Sequence, residues 1–264
     1  MVELNFAVHE NGVRWAFFPK FQAKGLRHGI STREGGNSVQ ELATLNLGVK
    51  VNDSAENLRI NRRKFCEAVG VDVNRVVASG QIHGDHVAVV DERQAGQRLA
   101  DTDGLVTCTP NLPLLLFFAD CVPLLFYDPV RRVIGLSHAG WKGTFRSIGP
   151  RTLSVMQHAF GTDPEDCLVG IGPSIGPDDY EVDEPVMTEI QSRWPSTDSF
   201  ARACRPGHWM LNLWEWNRQQ MLEAGISDSN IVLGGISTAQ HSDLFFSHRA
   251  SGGKAGRFGV LMSL

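Results

Sequence analysis

The sequence has no apolar run of 18 residues and no apolar core segment within its first twenty, so neither a membrane-spanning helix nor a secretory leader is expected, and the expectation is a soluble, cytoplasmic protein. Disulfide architecture is also disfavoured. The 5 cysteines, at positions 66, 108, 121, 167 and 204, are odd in number and scattered, with no C-x-x-C spacing, and suit free thiols in a reducing compartment. A net charge of −4 is too small and of the wrong sign for a general nucleic-acid or membrane-surface binder, although local basic pockets for a small anion remain open. No repeat, low-complexity tract or Pro/Ser-rich linker divides the chain, so residues 1–264 read as one unit. An apolar content of 42% supplies a proper core.

What is present centres on Leu114–Gly143. Two apolar runs, Val122–Tyr127 and Val133–Ser137, flank Asp128, Pro129, Val130 and Arg131, a block with turn composition, so a β-hairpin is expected. Neither run alternates with polar residues, which implies that both faces are covered. A turn centred between Pro129 and Val130 sets Cys121 opposite His138. Directly opposed residues have Cβ atoms roughly 4.5–5.5 Å apart, so thiolate and imidazole could share one metal ion.

The remaining elements follow from local signals. Strands are expected at Arg14–Phe18, Leu26–Ser31, Val76–Ser79, Val87–Val90, Cys167–Ile171, Ile231–Leu233, Leu244–Phe246 and Phe258–Met262. A helix over Asp53–Val69 has Asp53 and Glu56 at capping-box spacing and Gly70 as its stop. Its Arg59, Arg62, Arg63 and Lys64 read as a solvated face. A second helix spans Thr144–Phe160 with Pro150 interrupting it; Asp183 and Asn212 cap two more. Helices mixed with hairpins indicate an α+β layered domain.

A catalytic zinc site needs a third protein ligand and an open position. His83, in the Gly-flanked loop Gly80–Gly84, is the first choice, with His86 in reserve or as an outer partner. Thiol and imidazole together also fit a cysteine hydrolase, with Cys121 as nucleophile and His138 as base. A copper oxidase could use the same ligands, but there are only 9 histidines and no His-x-His pair for a multinuclear cluster. The nucleobase-deaminase pattern H-x-E with P-C-x-x-C is absent. Asp120 is expected to turn away from Cys121, as a buried supporting group or a general acid/base. Arg33, Lys142, Arg249 and Arg257 lie in Gly- or Ser-containing loops, where a phosphate co-substrate would need some of them, and Asn46 marks another candidate site edge.

Taken together, Gln81-Ile82-His83-Gly84, Ala119-Asp120-Cys121-Val122-Pro123-Leu124 and His138-Ala139-Gly140-Trp141-Lys142-Gly143 resemble the YfiH family, also labelled polyphenol oxidase or multicopper laccase domain. The resemblance extends to Ser31-Thr32-Arg33, Leu45-Asn46-Leu47-Gly48, Asn61-Arg62, Gly172-Pro173, Tyr180-Glu181, Phe246-Ser247 with Arg249, and Gly256-Arg257. It implies a single layered α/β/β/α domain with mixed sheets and one zinc, with copper as the other option, on the positions of His83, Cys121 and His138. It also implies purine nucleoside chemistry: phosphorolysis of adenosine, inosine or methylthioadenosine, and deamination of adenosine. Nucleoside and phosphate are then the partners, with neither nucleic acid nor membrane. Three positions depart from the family pattern: Lys142 where arginine is common, Ser237 where cysteine is common, and His248 where tyrosine is common. Lys142 lacks the bidentate fork of a guanidinium.

Overall fold

The computed structural model describes residues 4–264. Strands β1 (Asn5–Val8), β2 (Arg14–Phe17) and β3 (Arg27–Ser31) come first, with the short helix α1 (Pro19–Ala23) before β3. Helix α2 (Ala55–Val69) is capped by Ser54, whose hydroxyl accepts from Asn57 N at 3.0 Å. It closes at Gly70, φ +80°, a left-handed conformation that only a residue without Cβ enters freely. The expected cap, Asp53, instead accepts hydrogen bonds from the side chains of Ser38, Asn46 and Asn57, so its charge organises the preceding loop. Arg62 also leaves the solvated face: it donates to Leu47 O at 2.9 Å and stacks over Phe117.

Strands β4 (Val77–Gly80), β5 (Val87–Val89), β6 (Arg98–Ala100) and β7 (Gly104–Thr107) lead to the central β8 (Leu114–Phe118), β9 (Val122–Asp128) and β10 (Val133–Ala139). The region expected as one interrupted helix is two, α3 (Trp141–Phe145) and α4 (Ile148–Phe160). The break falls at Ser147, φ +62°, and not at Pro150, which lies in the first turn of α4 where an N–H has no helical acceptor. The rest comprises β11 (Leu168–Ile171), β12 (Glu181–Asp183), α5 (Glu184–Arg193), β13 (Ala201–Arg205), β14 (His208–Leu211), α6 (Leu213–Glu223), β15 (Ile231–Leu233) and β16 (Phe258–Ser263). Asp183 and Asn212 cap α5 and α6 as expected, accepting from Val186 N and Glu215 N. Leu244–Phe246, expected as a strand, is turn and bend; Phe245 and Phe246 are buried, so that apolar run fills core without pairing.

A seven-stranded sheet has the order β1-β2-β3-β16-β8-β4-β6, a six-stranded sheet β15-β11-β9-β10-β7-β5, and a small third sheet β12-β14-β13. The two large sheets mix parallel and antiparallel neighbours. Side-chain alternation then builds the layers. Leu114, Leu116 and Phe118 of β8 meet Leu125 and Tyr127 of β9 and Ile134 and Leu136 of β10 between the sheets. Leu115 and Phe117 face the other way, onto Phe65, Cys66 and Ala68 of α2. Leu124 and Phe126 pack against Ile148, Leu153 and Met156 of α4 and Trp216 of α6. The order is helix, sheet, sheet, helix, the α+β layered fold with mixed sheets expected from the sequence.

The β9–β10 hairpin forms, with every residue of both strands buried. Its register differs from the expected one: Val133 pairs with Asp128 and His138 with Pro123, so Cys121 does not stand opposite His138. The loop is Pro129–Arg132, because Asp128 Oδ1 accepts from Val130 N and Arg131 N, both at 2.9 Å, and holds β9 paired up to residue 128. The displacement is two residues, a full strand period, so Cys121 and His138 still share the face between the sheets.

Candidate metal centre

His83, Cys121 and His138 each point one ligand atom into a common spot, all within 4.8 Å of one another. His138 is the penultimate residue of β10, and its ring lies 5.5 Å from that of Phe118 on the opposite sheet. Cys121 directly precedes β9; Asp120 before it has φ +82°, which redirects the chain at the strand's start. His83 arrives on the loop after β4. That loop is fastened by Gln81, whose side-chain amide donates to Phe117 O at 2.7 Å and accepts from Phe117 N at 2.9 Å, as a neighbouring strand would. The rings of His83 and His138 are 4.8 Å apart.

Asp103, immediately before β7, gathers these parts. Its fully buried carboxylate accepts from His138 Nδ1 at 2.8 Å and from three backbone N–H groups: Ile82 at 3.0 Å, His83 at 3.1 Å and Gly84 at 2.9 Å. His138 Nδ1 is thereby occupied, which leaves Nε2 as the nitrogen that faces Cys121. His86 stays outside the cluster; its carbonyl accepts from Asp103 N and Gly104 N, and its Nδ1 lies 3.3 Å from Thr102 Oγ1.

Burial opposes charge at Cys121, His138 and Asp103, and local partners reverse it. Burial favours the neutral Cys121 thiol, but His138 and His83 beside it bring its pKa down to about 6. Burial likewise disfavours imidazolium at His138, which Cys121 and Asp103 offset, raising it to about 9. The Asp103 carboxylate is held at about 2 by His138 and the loop N–H groups, against its own burial. A thiolate with two imidazoles is a zinc- or copper-type donor set, and three protein ligands leave a position for a small molecule. Among the described residues no second such group occurs.

All three residues line a cavity of about 770 Å³. Of the other sequence-selected residues, Asp120, Lys142, Arg249 and Arg257 also line it, whereas Arg33 and Asn46 do not. Arg33 donates to Ala43 O at 2.9 Å and Ser242 O at 2.7 Å and stacks on Phe246, bracing two loops. Asn46 is buried, and its Oδ1 accepts from Gly48 N at 3.1 Å and Arg257 N at 2.9 Å, so it fixes the backbone that presents Arg257. Asp120 accepts from Thr238 Oγ1 at 2.7 Å and Arg249 N at 2.6 Å, which ties the Arg249 loop to the Cys121 strand. The Arg249 guanidinium donates to Glu181 O and lies 5.1 Å over Tyr180. Sequence reasoning missed Lys50 and Arg98, which line the cavity as well. None of Lys50, Arg98, Lys142, Arg249 and Arg257 is in an ion pair among the described residues, so the cavity is electropositive in a chain of net charge −4.

Comparison with known proteins gives the family and the fold. The chain is 36% identical over 236 residues to "Purine nucleoside phosphorylase YlmD" of Bacillus subtilis, covering 87% of this chain and 85% of that one. The crystal structure of Bacillus licheniformis hypothetical protein YfiH superposes with a TM-score of 0.91 at 34% identity over 98% of both chains. That of YlmD from Geobacillus stearothermophilus gives 0.91 at 33% identity, again over 98% of each. Residues 27–264 match the family described as "Multi-copper polyphenol oxidoreductase laccase", and the chain belongs to that family.

Proposed function

We propose that this protein is a zinc-dependent purine nucleoside phosphorylase that also deaminates adenosine, with His83, Cys121 and His138 as the metal ligands. The observation that carries the reading is one Cys/His/His group inside a cavity whose lining cations form no ion pair among the described residues. Relatives named purine nucleoside phosphorylase support the substrate class. A zinc ion on this donor set would supply Lewis acidity inside the cavity.

In phosphorolysis a phosphate oxygen forms a bond to C1′ of the ribose as the glycosidic C–N bond breaks; the electron pair leaves with the base, which takes up the proton that hydrogen phosphate gives up. The sugar carries positive charge in between, so an anion held close by is stabilising. Arg249 and Arg257 bind that phosphate, with Lys142 as a third cation that contributes charge but no fork. Phe117 and Trp141 form apolar walls for the purine. Asp120 keeps Arg249 in place through its backbone N–H.

A second reading is favoured by the Asp103–His138–Cys121 chain, which has the connectivity of a thiol hydrolase triad. Metal dependence separates the two. Single-turnover incubation of zinc-loaded protein with adenosine and phosphate yields adenine and ribose 1-phosphate under the phosphorylase reading, and Cys121→Ala abolishes it. Metal-loaded wild type that forms no ribose 1-phosphate refutes that reading; activity that survives chelation and is lost on Cys121 alkylation supports the hydrolase.

A further inference from the structure

We infer that Asp103 is a positioning residue that presents both histidines of the metal centre at once and thereby sets its affinity for zinc. The inference rests on the reading of His83, Cys121 and His138 as ligands, and goes beyond it by assigning the residue that assembles them.

Topology puts Asp103 where it is. Gly104 of β7 pairs with Ser137 of β10, so the residue before β7 runs beside His138, and Asp103 O accepts from His138 N at 2.8 Å. From that anchor the side chain reaches two places. Oδ1 accepts from His138 Nδ1 and from His83 N, and Oδ2 accepts from Ile82 N and Gly84 N. Asp103 N in turn donates to His86 O at 3.0 Å, closing the far end of the same loop. One buried carboxylate thus joins a strand-borne ligand to a loop-borne one.

Two consequences follow for the ligands. The Nδ1–H of His138 is committed to Asp103, which selects the tautomer with Nε2 free for a metal and fixes the plane of the ring. His83 has φ +62°, a conformation few residues other than glycine adopt. Three successive N–H groups converging on one carboxylate hold it there. No other side chain of this size serves both purposes. Carboxylate oxygens accept four N–H groups, whereas asparagine, the same shape, offers one accepting oxygen and an NH2 that faces donors.

The test compares wild type and Asp103→Asn for zinc affinity, by competition with a chromophoric chelator, and for the visible bands of the cobalt-substituted proteins. Asp103→Asn is expected to bind zinc about 10- to 100-fold more weakly, the usual effect of losing an outer partner of a metal-bound histidine, and to shift the cobalt bands. In wild-type zinc protein, 15N–1H spectra should place the His138 proton on Nδ1 and the metal on Nε2, a measurement that needs no folded variant. Wild-type affinity in Asp103→Asn, or metal on His138 Nδ1, overturns the inference while leaving the zinc reading intact. Wild type that binds no zinc overturns both.

Discussion

Replacing Gly140 by alanine perturbs the proposed centre through one atom. Gly140 precedes α3 with φ −66° and ψ 175°, a backbone conformation alanine adopts without strain, so any effect comes from the new methyl group alone. That Cβ would lie 2.8 Å from Cys121 Sγ and 3.4 Å from His83 Cδ2. Unstrained heavy-atom contacts fall at roughly 3.5–4.0 Å, so the sulfur must retreat by about 1 Å. Metal–ligand distances tolerate only about 0.2 Å. Either the thiolate leaves the donor set or the His83 loop is pushed back, and both open the site. Local overpacking costs about 1–3 kcal/mol, which a domain of this size withstands. Gly140→Ala should therefore fold but hold zinc poorly. The assay is thermal unfolding with excess zinc and with chelator. Ligand at about 100 times its Kd adds about 2.7 kcal/mol, so wild type should show a large difference in Tm and the variant little. Gly140→Ala with wild-type zinc content and an undiminished chelator response would refute the reasoning.

Other predictions concern charge and substrate. In metal-free protein the alkylation rate of Cys121 by iodoacetamide should rise with pH through about 6 and then level off, because the thiolate is the reacting form and its neighbours lower its pKa. His138→Ala should move that midpoint upward, and a wild-type midpoint near the ordinary thiol value of about 8.5 would contradict the assignment. Protons compete for the same sulfur and for His138, so zinc affinity should fall as pH drops below about 9, where His138 takes up its proton, and more steeply below about 6, where Cys121 does, as a chelator titration at several pH values would show. Arg249→Ala and Arg257→Ala should each raise KM for phosphate by about 10- to 100-fold, the range of a lost charge-assisted hydrogen bond, while Arg33→Ala, outside the cavity, should leave it unchanged.

How far the sequence could be read depended on how local each signal was. The β9–β10 hairpin was legible from apolar runs around Asp128 and Pro129, and Cys121 and His138 were brought to one face even though the register lay a full period from the expected one. An odd slip would have separated them; Asp128 extending β9 by one paired residue decided which occurred. Caps at Asp183 and Asn212 were legible because capping is settled within four residues. Asp103 was not, since nothing in Asp-Thr-Asp-Gly reveals that β7 will lie against β10. The same limit hid Arg98, which reaches the cavity from β6, and the tertiary place of Arg33, whose loop composition suggested an anion site and which donates to the carbonyls of Ala43 and Ser242. Leu244–Phe246 shows the converse: an apolar run marks burial, and strand pairing is a separate requirement that only tertiary neighbours meet.

The most direct measurement is elemental analysis of wild type and Cys121→Ala purified without added metal. About one equivalent of zinc per wild-type chain, lost in Cys121→Ala, is the result a single Cys/His/His centre requires. Metal-free active wild type, or several coppers per chain, would contradict it.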